Sequence, residues 1–187
     1  RMSLETVFSM DASSIKFGRG ATREVGSDMK DLGAKRVMVV TDPNLVSSET
    51  VAITLDSLKK ENIDTAVFDR VRIEPNDVSF KEAIAFAREG KFDGYVAVGG
   101  GSTMDTAKVA NLYTTYPADF LDYVNAPIGK AKPVPGQLQP LIAIPTTAGT
   151  GSEATKHAVL SKHGADGFKK SFRDERLVPE YAIVDPD

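Results

Sequence analysis

The chain has 187 residues, 41% of them apolar and 26% charged, and a formal net charge of -3, a composition that fits an ordinary globular protein with one substantial core. The mild acidity, with no basic run, speaks against a nucleic-acid partner. No apolar run approaches the ~20 residues needed to cross a bilayer, which excludes membrane insertion by a helix.

In chain order, "SIKF" (14–17) reads as a short strand and "ATREVGSDMKDLG" (21–33) as a helix closing on Gly33. "RVMVVTD" (36–42) is a buried strand by its β-branched run, and "SSETVAITLDSLKKEN" (47–62) a helix capped by Ser47 or Ser48. "IDTAVFD" (63–69) is a strand, followed by the helix "DVSFKEAIAFAREG" (77–90), with Asp77 placed to cap it and Gly90 to end it. "FDGYVAVGG" (92–100) and "STMDTAKVANLYTTY" (102–116) repeat the strand-helix rhythm. After Pro117 it breaks, and the proline-rich stretch 125–140 reads as an irregular surface excursion. "LIAIPTTAGTGSE" (141–153) returns as strand plus glycine-rich loop, and "HAVLS" (157–161) and "YAIVDPD" (181–187) are two further strands. The mixed-charge stretch 162–176 between them reads as a solvated loop or strand edge. This alternation predicts an α/β fold, a parallel Rossmann-like sheet with helices on both faces.

Chemistry concentrates at the carboxyl ends of the predicted strands, where open α/β sheets bind ligands. Gly99, Gly100 and Gly101 let backbone approach a phosphate, and the helix starting at Ser102 aims its positive end at the same place. Taken alone, the triplet has a lesser second reading as a tight strand-to-helix turn. Asp42, at the end of "VMVVTD", suits the hydroxyls of an adenosine ribose and would repel a 2'-phosphate, favouring NAD over NADP; its other reading is a turn cap in "TDPN". The hydroxyls of Thr146, Thr147 and Thr150 in "PTTAGTGSE" can line a phosphate or ribose pocket or simply form a turn. Asp105 either complements the helix dipole or holds the nicotinamide end of a cofactor, and Lys108, one turn on, reads as structural. His157 and His163 have no acidic pattern around them and make no metal site. The absence of cysteine excludes disulfides and thiolate chemistry and fits a reducing, intracellular compartment, the cytoplasm. The chain opens on Arg1 rather than Met, so a removed leader and the mitochondrial matrix also fit.

The set "FG" (17–18), "VTDPNL" (40–45), "VAVGGGSTMDTAK" (96–108), "IPTTAGTGSE" (144–153) and "AIVDPD" (182–187) resembles the iron-containing (group III) alcohol dehydrogenases in order and spacing. Within that family, "VRIEPNDVSFKEAIAFA" and "FLDYVNAPIGK" are most similar to the hydroxyacid–oxoacid transhydrogenases. The resemblance implies an N-terminal dinucleotide-binding domain like that of dehydroquinate synthase, followed by an all-helical metal domain. It implies that Asp42 contacts the adenosine ribose, that Asn76 lies near the adenine, and that Gly99, Gly100, Gly101, Ser102 and Thr103 cradle the pyrophosphate. Thr146, Thr147 and Thr150 would then line the cofactor, Asp105 would sit by the nicotinamide ribose, and Lys169 matches a cofactor-contacting lysine.

The family's Fe2+ or Zn2+ polarises the substrate oxygen, but its Asp and His ligands follow the "VDP" strand, and this chain ends at Asp187. The expectation is therefore that residues 1–187 form one NAD(P)-binding domain of a truncated chain, with no metal ligand and no catalytic residue of its own. The complete enzyme would move a hydride between a primary alcohol or hydroxy acid and the nicotinamide, and this part alone would be inactive. The other expectation is a non-catalytic NAD-binding or self-associating module, a homo-oligomer held by faces left uncovered.

Overall fold

The computed structural model describes residues 14–162 and 168–187. Six strands form one parallel sheet: β1 (Ser14–Phe17), β2 (Arg36–Val40), β3 (Asp64–Phe68), β4 (Gly94–Gly99), β5 (Leu141–Pro145) and β8 (Tyr181–Val184). Their spatial order is β1-β8-β5-β4-β2-β3. The central strands β2, β4 and β5 are apolar and buried almost end to end, as expected of strands covered on both faces.

Alternate residues of those strands feed two separate cores. Val37, Val39, Val96, Val98, Ile142 and Ile144 face α1 (Val25–Asp31) and α2 (Glu49–Lys60). Met38, Val40, Tyr95, Ala97 and Ala143 face α3 (Asp77–Gly90) and α4 (Gly101–Thr115). Fully burying one Val, Ile or Met side chain contributes roughly 1.5–3 kcal/mol, so each register is held by several such terms.

A third apolar layer lies outside α3 and α4. It joins Phe80, Val109, Leu112 and Tyr113 to Tyr123, Val124 and Val134 of the irregular excursion, and to Ala158, Leu160 and Phe172 of an antiparallel hairpin. That hairpin pairs β6 (His157–Lys162) with β7 (Phe168–Arg173). Sandwiched between sheet and hairpin, α4 buries an unbroken run from Thr103 to Tyr113 and has no solvent face there.

Three local expectations are corrected. The stretch 162–176 is not merely a solvated segment: it contains β7, whose Phe172 is 1% exposed. Helix α3 is capped by Asn76, not Asp77. The Asn76 side chain accepts from the Ser79 amide at 2.9 Å while the Ser79 hydroxyl accepts from the Asn76 amide at 3.0 Å, a reciprocal capping box. Gly90 lies inside the helix, and Lys91, at φ 51°, takes the left-handed cap position. A Cβ on Gly90 would stand 2.1 Å from the Phe92 ring, so the glycine serves close packing rather than helix termination.

Candidate functional site

The strand order turns at β2 and β4. From β2 the sheet runs outward through β3, and from β4 it runs the other way through β5 and β8. The loops leaving β2 and β4 therefore diverge and open a crevice at their carboxyl ends, the place where sheets of this kind take ligands. Thr41 holds the crevice floor, donating its buried hydroxyl to the Val98 carbonyl at 2.9 Å.

Into this crevice points the amino end of α4. Helix geometry leaves the first amides, those of Gly101 and Ser102, without intrahelical acceptors, and the helix dipole adds partial positive charge there. The glycines keep the approach open. A Cβ on Gly100 would lie 3.1 Å from the Thr147 hydroxyl, one on Gly101 3.0 Å from the Thr150 methyl, and one on Gly99 2.5 Å from the Thr103 hydroxyl. The Thr146 amide donates to the Gly99 carbonyl at 3.0 Å, tying the threonine loop to the glycine turn.

Two compartments meet over Gly101 and Ser102. The first, about 390 Å³, is lined by Asp42, Asn44, Leu45, Val71, Ile73, Gly100, Thr103, Thr146 and Thr147. The second, about 380 Å³, is lined by Glu74, Asp105, Thr150, Ser152, Thr155, His157, Val159, Ser161 and Lys169. Most of the residues singled out in the sequence thus stand around one cleft. Two qualifications come with them. Asn76 lines neither compartment and spends its side chain on the α3 cap. Asp42 fills both of its alternatives: it lines the first compartment, and it also accepts from the amides of Asn44 and Leu45 at 2.8 and 3.2 Å, fixing its own turn.

In the second compartment the polar side chains restrain one another. The Ser152 hydroxyl donates to Asp105 at 2.6 Å and the Val159 amide donates to its other oxygen at 3.0 Å. Burial pushes the Asp105 carboxyl above its ordinary range, while those donors pull the other way. Lys108 is fully buried, and burial lowers its ammonium to about 8, only partly offset by Asp105 and Glu153. Across the mouth, Lys169 on β7 pairs with Glu74 at 3.0 Å. His157 is pushed below its ordinary range by burial and by Arg173 and Lys108. His163 lies outside the described residues.

Sequence reasoning missed Leu45, Val71 and Ile73, the apolar wall of the first compartment, and Ser152, the hydroxyl shared between Asp105 and Lys108. Ser152 could have been found, since it falls within the quoted glycine-threonine motif. The apolar wall also falls within the quoted motifs "VTDPNL" and "VRIEPNDVSFKEAIAFA", but an apolar residue in a loop carries no signal for what it faces.

The geometry fits a dinucleotide: a side-chain-free cradle at a helix amino end, between two pockets of similar size. Among the described residues, no group of three or more His, Cys, Asp or Glu side chains is placed to hold a metal ion, so these residues do not fit the iron that the resemblance implies.

A family model described as iron-containing alcohol dehydrogenase matches residues 12–186. The chain is 52% identical over 180 residues to "Hydroxyacid-oxoacid transhydrogenase, mitochondrial" of Mus musculus, covering 96% of this chain and 38% of that protein. Among solved structures it is similar to an alcohol dehydrogenase from Oenococcus oeni (33% identity, TM-score 0.85, 96% of this chain and 46% of that one). It is also similar to a sulfoacetaldehyde reductase from Bifidobacterium kashiwanohense in complex with NAD+ (28% identity, TM-score 0.84, 98% and 47%). The chain thus spans about two-fifths of the length of the curated relatives it matches and under half of these solved chains.

Proposed function

The chain belongs to the iron-containing alcohol dehydrogenase family, and we propose that it is the dinucleotide-binding domain of an enzyme that transfers a hydride between an alcohol or hydroxy acid and a nicotinamide cofactor. The observation that carries this reading is the convergence of three loops, after β2, β4 and β5, on the amino end of α4. The similarity to hydroxyacid–oxoacid transhydrogenases supports a hydroxy acid as the alcohol substrate and a 2-oxo acid as acceptor. The mitochondrial designation of those relatives supports a mitochondrial over a cytoplasmic location.

In this reading the adenosine half occupies the compartment of Asp42, Leu45, Val71 and Ile73, with the ribose hydroxyls donating to Asp42. The carboxylate meets a 2'-phosphate with like charge, which favours NAD over NADP. The pyrophosphate lies over Gly100 and Gly101 and takes the amides of the first turn of α4, with Ser102, Thr103 and Thr147 adding hydroxyls. The nicotinamide half enters the compartment of Asp105, Thr150 and Val159, where Lys169 exchanges Glu74 for a cofactor oxygen. When bound, the nicotinamide supplies hydride chemistry; the residues named here bind it, orient it and exclude water from one of its faces. Asn76 acts on the adenine side only through the cap it gives α3.

Calorimetric titration with NAD+ tests the reading. Saturable one-to-one binding, weaker for NADP+, is expected; failure to bind either dinucleotide removes it.

A second reading, a self-associating module, is favoured by Ile15 and Phe17, which are 62% and 76% exposed on the edge strand β1. A sedimentation coefficient that rises with concentration, and that Phe17→Lys abolishes, is its expected signature; a monomer at all concentrations removes it.

A further inference from the structure

Lys108 has no part in the function just described, yet among the described residues it is the charged side chain with no exposed surface at all. Its ammonium donates to three main-chain carbonyls, those of Ser152 at 2.7 Å, Thr155 at 2.7 Å and His157 at 2.9 Å, and reaches the Ser152 hydroxyl at 3.3 Å. Those carbonyls belong to a single stretch, the descent from the threonine loop into β6, which has no regular hydrogen-bond ladder until His157. Asp105, one turn earlier on α4, holds the same stretch through Ser152 and the Val159 amide. The wall formed by Thr150, Ser152, Thr155, His157 and Val159 is therefore set by two side chains of the helix whose amino end is the phosphate cradle. None of the residues lining the first compartment belongs to the held stretch: beyond the cradle at the start of α4, which both compartments share, its walls come from the loops after β2 and β3 and from Thr146 and Thr147.

Resting on the dinucleotide reading, we infer that Lys108 is a positioning residue for the nicotinamide half alone, fixing the far wall of the cleft to the cradle through its three carbonyl contacts. A neutral amine has two N–H groups for three carbonyls, so loss of the proton releases part of the wall. Burial brings that proton loss down to about pH 8. Of the charged groups around it, Asp105 faces it from α4, Glu153 from the turn at Ser152–Ala154, and His157 from β6, with Lys156 and Arg173 beyond. His157 is held below its ordinary range, first by burial and then by the neighbouring cations Arg173 and Lys108. Strands β4 and β5 bring no charged side chain, and Lys81, Glu82, Arg88 and Glu89 of α3 are exposed.

The sign for the fold is opposite to that for the site. With the folded value at about 8 and the ordinary one at 10.5, the unfolded chain binds the extra proton between them, so folding stability from this group rises with pH over that window. Grip on the nicotinamide half falls over the same window, and a merely structural lysine does not give that combination.

The test compares NADH, which occupies both compartments, with ADP, which occupies the first compartment and the cradle. Both are titrated against wild type and Lys108→Met at pH 7, and against wild type again at pH 9. Lys108→Met is expected to weaken NADH about tenfold or more while changing ADP by less than about twofold. Wild type at pH 9 is expected to lose NADH affinity selectively in the same direction. Equal weakening of both ligands in Lys108→Met, or no weakening of NADH, overturns the inference. If that variant does not fold, wild type decides: a ratio of NADH to ADP affinity that stays constant from pH 7 to pH 9 overturns it. Failure of wild type to bind either ligand removes the dinucleotide reading itself, and the inference with it.

Discussion

At the scale of single residues, Asp42 and Gly100 carry the account in different ways. The Asp42 carboxylate anchors its own turn through the amides of Asn44 and Leu45 and at the same time faces the first compartment. Replacing it with glycine would mix the two roles, whereas Asp42→Asn keeps an acceptor for the turn and removes the charge. That variant is expected to fold as wild type and to narrow the preference for NAD+ over NADP+ by about tenfold, as the ratio of the two dissociation constants reads it. An unchanged ratio takes Asp42 out of ribose recognition and leaves it a turn cap. Gly100 has an ordinary φ of -81° and is no helix-breaking necessity. What it provides is space, since a Cβ there already comes within 3.1 Å of Thr147. Gly100→Val is expected to fold with a modest loss of stability, about 1–3 kcal/mol from overpacking, and to lose NAD+ binding altogether. Binding at wild-type strength would make the glycine triplet a turn and nothing more.

At the scale of elements, the strands and most helices were legible because periodicity and burial coincide. The β-branched runs of β2 and β4 read as strands, and Gly33, at φ 85°, stops the first helix where its sequence predicts. The errors arose where neighbours compete for one role. Asn76 and Asp77 are both good capping residues, and only the Ser79 hydroxyl, three positions after Asn76, decides between them. Asn76→Ala is accordingly expected to cost about 1 kcal/mol in thermal or denaturant unfolding while leaving NAD+ affinity unchanged. A loss of affinity larger than the loss of stability would place Asn76 at the adenine after all. Strand β7 gives little signal because Lys170 interrupts the apolar alternation of "FKKSFR", and its pairing with β6 and the burial of Phe172 are long-range facts. For α4 the sequence identified the motif but not its surroundings. Asp105 and Lys108 find their partners 44 to 54 residues away, beyond what spacing can express.

At the scale of the whole molecule, the sheet is closed at one end by a contact between the first and last parts of the chain. Asp185, just after β8, accepts from the amides of Gly20 and Thr22 at 2.9 Å each, across more than 160 residues. Burial raises its carboxyl, but these hydrogen bonds outweigh burial and hold it below its ordinary 3.8. A carboxyl held low in the folded state stabilises the fold above that ordinary value, and the contribution is lost as pH falls through the folded one. Asp185→Asn is expected to lower stability at pH 7 and to flatten the acid limb of a stability-versus-pH curve; parallel acid limbs in variant and wild type would deny the contact that role. The parallel α/β class was legible in the alternation of strands and helices, as was the sheet edge at which the cleft opens, whereas the strand order was not. The division of the cleft into two compartments was not, because the second depends on the hairpin that the sequence left half unread.

The most direct measurement is amide hydrogen exchange of the protein with and without saturating NAD+. Protection is expected to rise at Gly100 to Thr103, at Thr146 to Thr150 and around Asp42, with little change at the exposed edge strand β1. Protection confined to other surfaces, or none at saturation, would contradict the claim that these three loops form a single dinucleotide site.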